Sequence, residues 1–237
     1  MSEYADLHLC PPLDDVSNSR SMADLLLELN TGTVGLVLPP ERSGRTPIVH
    51  DVFKNAGLEV ARRINLKPKS RNDLLRSLRR YRNQYEIVAV ECSSFLVSRV
   101  AVRDRRVDVV YFPKTVRSNP FHARLAKTCR AALEINISEL ISSPNPGTSL
   151  FGLRRDIETA VEASTAVIGS TGASKPFDLR SPRDISSILN LIGLPLHDSL
   201  NAVSTVPLGI VRRNRSRLNE PQLEQGVRIL RRSERDA

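Results

Sequence analysis

Tryptophan is absent from this chain, and six phenylalanines and four tyrosines are its only other large rings. A platform of stacked aromatics for unpaired bases therefore has little to be built from. Cysteine is scarce as well: Cys10, Cys92 and Cys129 are odd in number, widely spaced and contain no Cys-x-x-Cys pair, which leaves no pattern for a disulfide framework or a zinc knuckle. Reduced, mostly buried thiols are expected. No run approaches the roughly 18 consecutive apolar residues of a membrane span, and the N-terminal segment lacks the basic-then-apolar order of a secretory leader. These absences predict a soluble, intracellular protein with no membrane contact. Histidine is limited to His8, His50, His122 and His197, too few for a rich cluster of metal ligands.

What is present is arginine. Of 35 basic residues only six are lysine, against 26 acids, giving a net charge of +9 and a pI near 10.0. A planar, permanently charged guanidinium matches phosphate oxygens and stacks on bases, so the bias suits RNA. A generally arginine-rich proteome would give the same composition with no such partner.

The chain of 237 residues is long enough for one sizeable core. Short β-branched runs recur every 20 to 30 residues, each followed by helical spacing, the pattern of repeated βα units and a parallel sheet. The expected strands are Tyr4–Leu9, Val34–Leu38, Leu58–Leu66, Glu86–Cys92, Val107–Phe112, Leu133–Ile137 and Ala166–Ser170. A barrel is favoured over two domains, with an open doubly wound sheet as the other arrangement.

Ser70 and Asp73 form a capping-box-like start ahead of an apolar stripe of Leu74, Leu75, Leu78 and Tyr81, which turns Arg76, Arg79 and Arg80 outward. Ser181-Pro182-Arg183-Asp184 opens a helix carrying Ile185, Ile188, Leu189 and Ile192, and Gly193 stops it. After Pro207 a third helix keeps Leu208, Val211 and Leu218 on a seam among Arg212, Arg213, Arg215 and Arg217. Pro11–Ser21, Pro39–Pro47 and Ser142–Ser149 read as loops. A single domain over residues 1–217 is expected, with 218–237 a charged, frayed tail.

Four stretches, in order, resemble the archaeal and eukaryotic ribonuclease P protein component 3 family: YADLHL at Tyr4–Leu9, EIVAVECSSFLVSRVAVRDRRVDVVYFP at Glu86–Pro113, ALEINISEL at Ala132–Leu140, and STGASKPFDLRSPRDISSILNLIGL at Ser170–Leu194. The AVS at Ala202–Ser204 and the basic helix after it extend the match. The resemblance implies an α/β fold, a distorted TIM-like barrel of about seven parallel strands surrounded by helices, akin to the polymerase and histidinol phosphatase superfamily. It further implies an RNA-binding subunit of ribonuclease P that supports the catalytic RNA in removing 5′ leaders from precursor tRNA. The implied partners are ribonuclease P RNA, precursor tRNA, protein component 2 and the other protein subunits. Mg2+ would serve the catalytic RNA, with no cofactor held by the chain, and an archaeal cytoplasm is the implied location.

The RNA-contacting candidates are Arg99 and Arg103, one helical turn apart, then Arg105 and Arg106 in the turn before the fifth strand, near the end of the barrel where strands begin. Arg180 and Arg183 flank a helix N-terminus, where cations oppose the helix dipole and an external phosphate would answer them. Arg212, Arg213 and Arg215 complete the set, and ordinary solvated or paired helix charges are the bland alternative for all nine. Gly169-Ser170-Thr171-Gly172 follows the seventh strand, where barrels cradle phosphate, although a tight turn explains it equally well.

Two enzymatic readings compete. A metal-dependent phosphoesterase of the related superfamily would place a His-x-His on the first strand, where this chain has Asp6-x-His8; alternation puts both on one face, and a structural polar pair is the simpler expectation. A barrel enzyme acting on a small phosphorylated metabolite would use strand-end groups, among which Glu91 is the one acid considered and no lysine is placed. No catalytic residue and no metal ligand is assigned.

Overall fold

The computed structural model describes residues 3–40, 45–113, 131–219, 222–224 and 227–228. Seven strands, β1 (Ala5–Leu9), β2 (Thr33–Val37), β3 (Glu59–Leu66), β4 (Ile87–Glu91), β5 (Val109–Tyr111), β6 (Ala132–Asn136) and β7 (Val167–Ser170), form one parallel sheet in sequence order. Each departs from its expected bounds by no more than two residues. Between them run α1 (Val16–Glu28), α2 (Arg45–Asn55), α3 (Arg71–Tyr81), α4 (Phe95–Ala101), α5 (Ser138–Ile141) and α6 (Pro146–Glu162); α7 (Pro182–Leu191), α8 (Leu196–Asn201) and α9 (Thr205–Asn219) follow β7. The sheet curls into a nearly closed, TIM-like barrel.

No ladder joins β7 to β1. Instead the Ala202 carbonyl accepts from Gly169 N–H at 3.0 Å and the Val203 carbonyl from Ala5 N–H at 2.9 Å, so the segment before α9 bridges the gap where an eighth strand would lie. Gly169 makes this closure possible. A Cβ there would come within 2.6 Å of the Ile185 side chain and 2.9 Å of that of Leu189, so a larger residue would push α7 off the strand.

Apolar residues sort by strand parity. Val88, Val90, Leu133 and Ile135 face the surrounding helices, while Ala5, Ala61, Ala89, Ala132, Val109 and Ile168 fill the barrel, whose bore admits mostly small side chains. Ile210 and Val211 of α9 join that inner cluster, making the helix the floor of the barrel at the end where strands begin.

Helix starts follow cap chemistry. Ser70 accepts from Asp73 N–H, and Ser181 with Asp184 closes a reciprocal capping box ahead of α7. Three expected loops are corrected. Within Pro11–Ser21, Asp15 accepts from Asn18 N–H at 2.8 Å and α1 begins at Val16. Within Ser142–Ser149, Asn145 caps α6, with Pro146 in its first turn. Helix α2 runs through Pro47, which puts His50 on a helix and not in a proline-rich loop. In each case a proline or small polar residue read as a loop signal is the start of a helix, because loops and first turns use the same residues. Leu218 and Asn219 complete α9, and Gln222–Glu224 pairs antiparallel with Val227–Arg228; the remainder of the expected tail lies outside the described residues, as do Cys129 and His122.

Candidate nucleic-acid interface and the barrel mouth

An ion pair lies inside the barrel, whose strand carboxyl ends are where barrel enzymes do chemistry. Arg63 of β3 is fully buried and binds Glu134 of β6 through both terminal nitrogens, at 2.7 and 2.5 Å. It also donates to the Leu7 carbonyl at 2.9 Å and to the Asn65 side chain at 2.7 Å. Burial alone would raise the Glu134 carboxyl, but Arg63 and then His8 outweigh it and hold that carboxyl well below the usual carboxylate range.

His8 places Nδ1 3.2 Å from Glu134 and Nε2 3.0 Å from the Asn65 amide. Burial and the Arg63 charge pull its pKa down, yet Glu134 and hydrogen bonding leave it raised. Asp6 serves other partners: the Thr171 hydroxyl and N–H and, at 3.1 Å, the His8 N–H, which spans an irregularity in the β1 ladder. Burial raises the Asp6 pKa. Among the described residues no three His, Cys, Asp or Glu side chains gather as metal ligands, and a guanidinium occupies the carboxylate beside His8. This donor set does not fit a catalytic cation.

Glu91 ends β4, as expected, whereas Glu134 lies mid-strand; Glu91 accepts from the Tyr111 hydroxyl and pairs at 3.2 Å with Lys67, one residue past β3. Lys67 thus stands beside a strand end where no lysine is expected. Arg63 and Glu134 were missed because each sits in an apolar strand where only inward parity marks it.

Gly169 and Ser170 end β7, and Thr171 and Gly172 continue the chain as irregular backbone without a turn. Gly169 packs under α7, Thr171 N–H is committed to Asp6, and the Ala173 N–H donates to the Thr171 hydroxyl at 3.2 Å. Gly172, at φ +64°, adopts a left-handed conformation that favours glycine. Ser170 is fully buried, and its hydroxyl has no partner among the described residues.

The basic residues divide into committed and free groups. Arg106 grips Asp104 with two bonds of 2.8 and 2.6 Å, and Arg180 folds back onto the carbonyls of Phe177 and Leu179. Arg215 is held between Glu59, Glu86 and the Val60 carbonyl, tying α9 to the barrel floor. Arg99, Arg103, Arg105, Arg183 and Arg212 are exposed, with no ion pair to a described residue, and Arg213 approaches Asp108 at 3.5 Å while staying largely in solvent.

Arg99 and Arg103 do come together, with neighbours the sequence reading left out. With Arg71, Leu75, Leu96, Val100 and Asp104 they line a groove of about 490 Å³ between α3 and α4. Beside it, Arg76, Arg79, Arg80, Asn72 and Leu75 line a second hollow of about 530 Å³. The α3 arginines are exposed and unpaired among the described residues, apart from Arg80 resting over the Tyr81 ring. The signal was available: the amphipathic stripe had already turned Arg76, Arg79 and Arg80 outward.

Fold and site together define a barrel protein with a buried ion pair inside it and an arginine face on its flank. The chain belongs to the RNase P subunit p30 family, whose model matches residues 3–219. It is 29% identical over 150 residues to ribonuclease P protein component 3 of Methanococcus maripaludis, covering 61% of this chain and 65% of that protein. The component 3 protein of Methanosarcina acetivorans is 28% identical over 81% of this chain and 79% of its own length. The chain thus spans less than two thirds of the Methanococcus relatives it matches. Among solved structures, a chain of an archaeal ribonuclease P determined by cryo-EM with mature tRNA shares the fold, with a TM-score of 0.79 at 22% identity over 96% of this chain and 98% of that one. A lactonase from Listeria monocytogenes has the same general architecture at 0.54 and 11% identity.

Proposed function

We propose that this chain is an RNA-binding protein subunit of ribonuclease P, which supports the catalytic RNA in removing 5′ leaders from precursor tRNA and performs no hydrolysis itself. The observation that carries the reading is family membership across residues 3–219, every described element of the barrel included. The buried ion pair agrees with it, since the Arg63 guanidinium already occupies the Glu134 carboxylate beside His8. Phosphate contacts fall to the free arginines: Arg99 and Arg103 in the α3–α4 groove, Arg105 beside it, Arg212 and Arg213 on α9, and Arg183. Arg106, Arg180 and Arg215 contribute by holding structure. The Gly169–Gly172 segment acts structurally, packing β7 under α7 and holding Asp6.

The partners in this reading are ribonuclease P RNA, precursor tRNA, protein component 2 and the other protein subunits. Mg2+ belongs to the catalytic RNA and the cytoplasm is the location; among the described residues no helix is long and apolar enough to cross a membrane. Sequencing RNA that co-purifies with the chain from cell extract is the direct test, with ribonuclease P RNA as the expected dominant species. Random RNA, or none, overturns the reading. Metal-stimulated phosphate-ester turnover by the isolated chain, lost on Asp6→Ala or His8→Ala, would instead establish the phosphoesterase.

A further inference from the structure

The C-terminal half of α9 brings Arg213 and Arg217 up to the Arg82–Asp108 pair. Arg82 grips Asp108 through both terminal nitrogens, Arg213 lies 3.5 Å from the same carboxylate, and Arg217 donates to the Arg82 carbonyl at 3.3 Å. Asp108 is already engaged further, accepting the Val88 N–H at 2.9 Å. No other carboxylate of the described residues pairs with Arg82, Arg213 or Arg217. The neighbouring Arg215, by contrast, is balanced by two acids, Glu59 and Glu86.

Three buried donors in this cluster, Arg82 Nε, Asn214 Nδ2 and Arg217 Nε, have no acceptor among the described residues. The crowding shows electrostatically: burial first, then the Arg82 and Arg213 charges, bring the Arg217 guanidinium down to about 10. Half-buried like charges with donors to spare are unfavourable unless an anion joins them.

We propose that Arg82, Arg213, Asn214 and Arg217 form a phosphate-binding site on the barrel floor, with Arg213 as its solvent-facing entry. The side chain of Arg213 is 57% exposed while that of Asp108 is 2% exposed, so an oxyanion approaches from the arginine side and the acid stays covered. The site lies at the end of the barrel opposite the face where barrel enzymes bind ligands. Arg213 is shared with the RNA reading, but the site rests on the unpaired buried donors and not on that reading, because the chemistry is that of a phosphate oxyanion whether free or part of a nucleic-acid backbone.

The test is thermal melting of the full chain in inorganic phosphate, against chloride at matched ionic strength. The wild-type melting temperature is expected to rise saturably with phosphate. Without phosphate, Arg213→Gln should melt no lower than the wild type, since it relieves like-charge crowding. Its apparent phosphate affinity should fall by about tenfold or more, the loss of one charge-assisted bond. Arg105→Gln should keep the wild-type response. Equal effects of phosphate and chloride, or an Arg213→Gln chain that melts lower and still responds to phosphate, overturn the site. A short RNA duplex then identifies the source: displacement of phosphate by the duplex assigns a backbone phosphate and no displacement a free one, and both uphold the oxyanion chemistry once the phosphate arm has succeeded.

Discussion

Arg63 is a charge that the barrel interior has to balance. Its guanidinium is fully buried and paired with Glu134, so removing either partner strands a charge in a low-dielectric interior. Glu134→Gln is expected to lower unfolding stability by about 3 to 5 kcal/mol, read from urea denaturation. Beside it, His8 supplies a pH dependence. Its folded pKa is raised above 6.5, so its stabilising contribution is complete below 6.5 and declines as pH rises through the folded value. Melting curves on both sides of that value should show the wild type losing more on the alkaline side than His8→Gln, and identical slopes would remove His8 from the account. The expected four-arginine cluster divides at this scale as well. Arg105→Gln should reduce the log-log salt slope of RNA binding by roughly 0.9 if its one phosphate contact is lost. Arg106→Gln should leave the slope unchanged and cost about 0 to 1 kcal/mol of stability, because that guanidinium is partly exposed and held by Asp104.

Helix α9 has two roles that its basic composition conceals. One face places Ile210 and Val211 against the alanines, valine and isoleucine of the barrel interior, and the other presents Arg212 and Arg213 to solvent. Ile210→Ala should therefore cost about 2 to 5 kcal/mol in chemical denaturation, whereas Arg212→Gln should stay within about 0.5 kcal/mol. The contrast tests whether the helix is a floor or an appended arm. The seam of Leu208, Val211 and Leu218 announced the helix, but not that Arg215 would be consumed by Glu59 and Glu86, whose codons lie more than a hundred residues away. Pairing across that distance is created by the closure of the barrel and leaves no local pattern to read.

The whole molecule presents one flank rich in unpaired arginine. Six arginines, Arg71, Arg76, Arg79, Arg80, Arg99 and Arg103, lie along α3 and α4 and the turn after it without an acid partner among the described residues. Changing Arg76, Arg79 and Arg80 together to Gln should weaken binding to ribonuclease P RNA and flatten its salt dependence, with little change in melting temperature. Comparable losses on duplexes of unrelated sequence are expected, since the face has few rings and offers charge in place of base-edge readout. A lowered melting temperature with an unchanged slope would move these residues from the interface to the fold.

Local physics in the sequence was sufficient for every described barrel strand, for the caps of α3 and α7, and for the outward direction of the α3 arginines, because strand parity, helical spacing and cap geometry act over a few residues. It also supplied the motifs that point to the family. Tertiary structure alone decided which charges were free. Arg63 meets Glu134 across 71 positions and Arg82 meets Asn214 across 132, so one arginine is consumed inside the barrel and another joins an overcharged floor. A guanidinium carries the same charge wherever it stands in the chain. Whether it can meet an external phosphate depends on which carboxylates folding brings beside it.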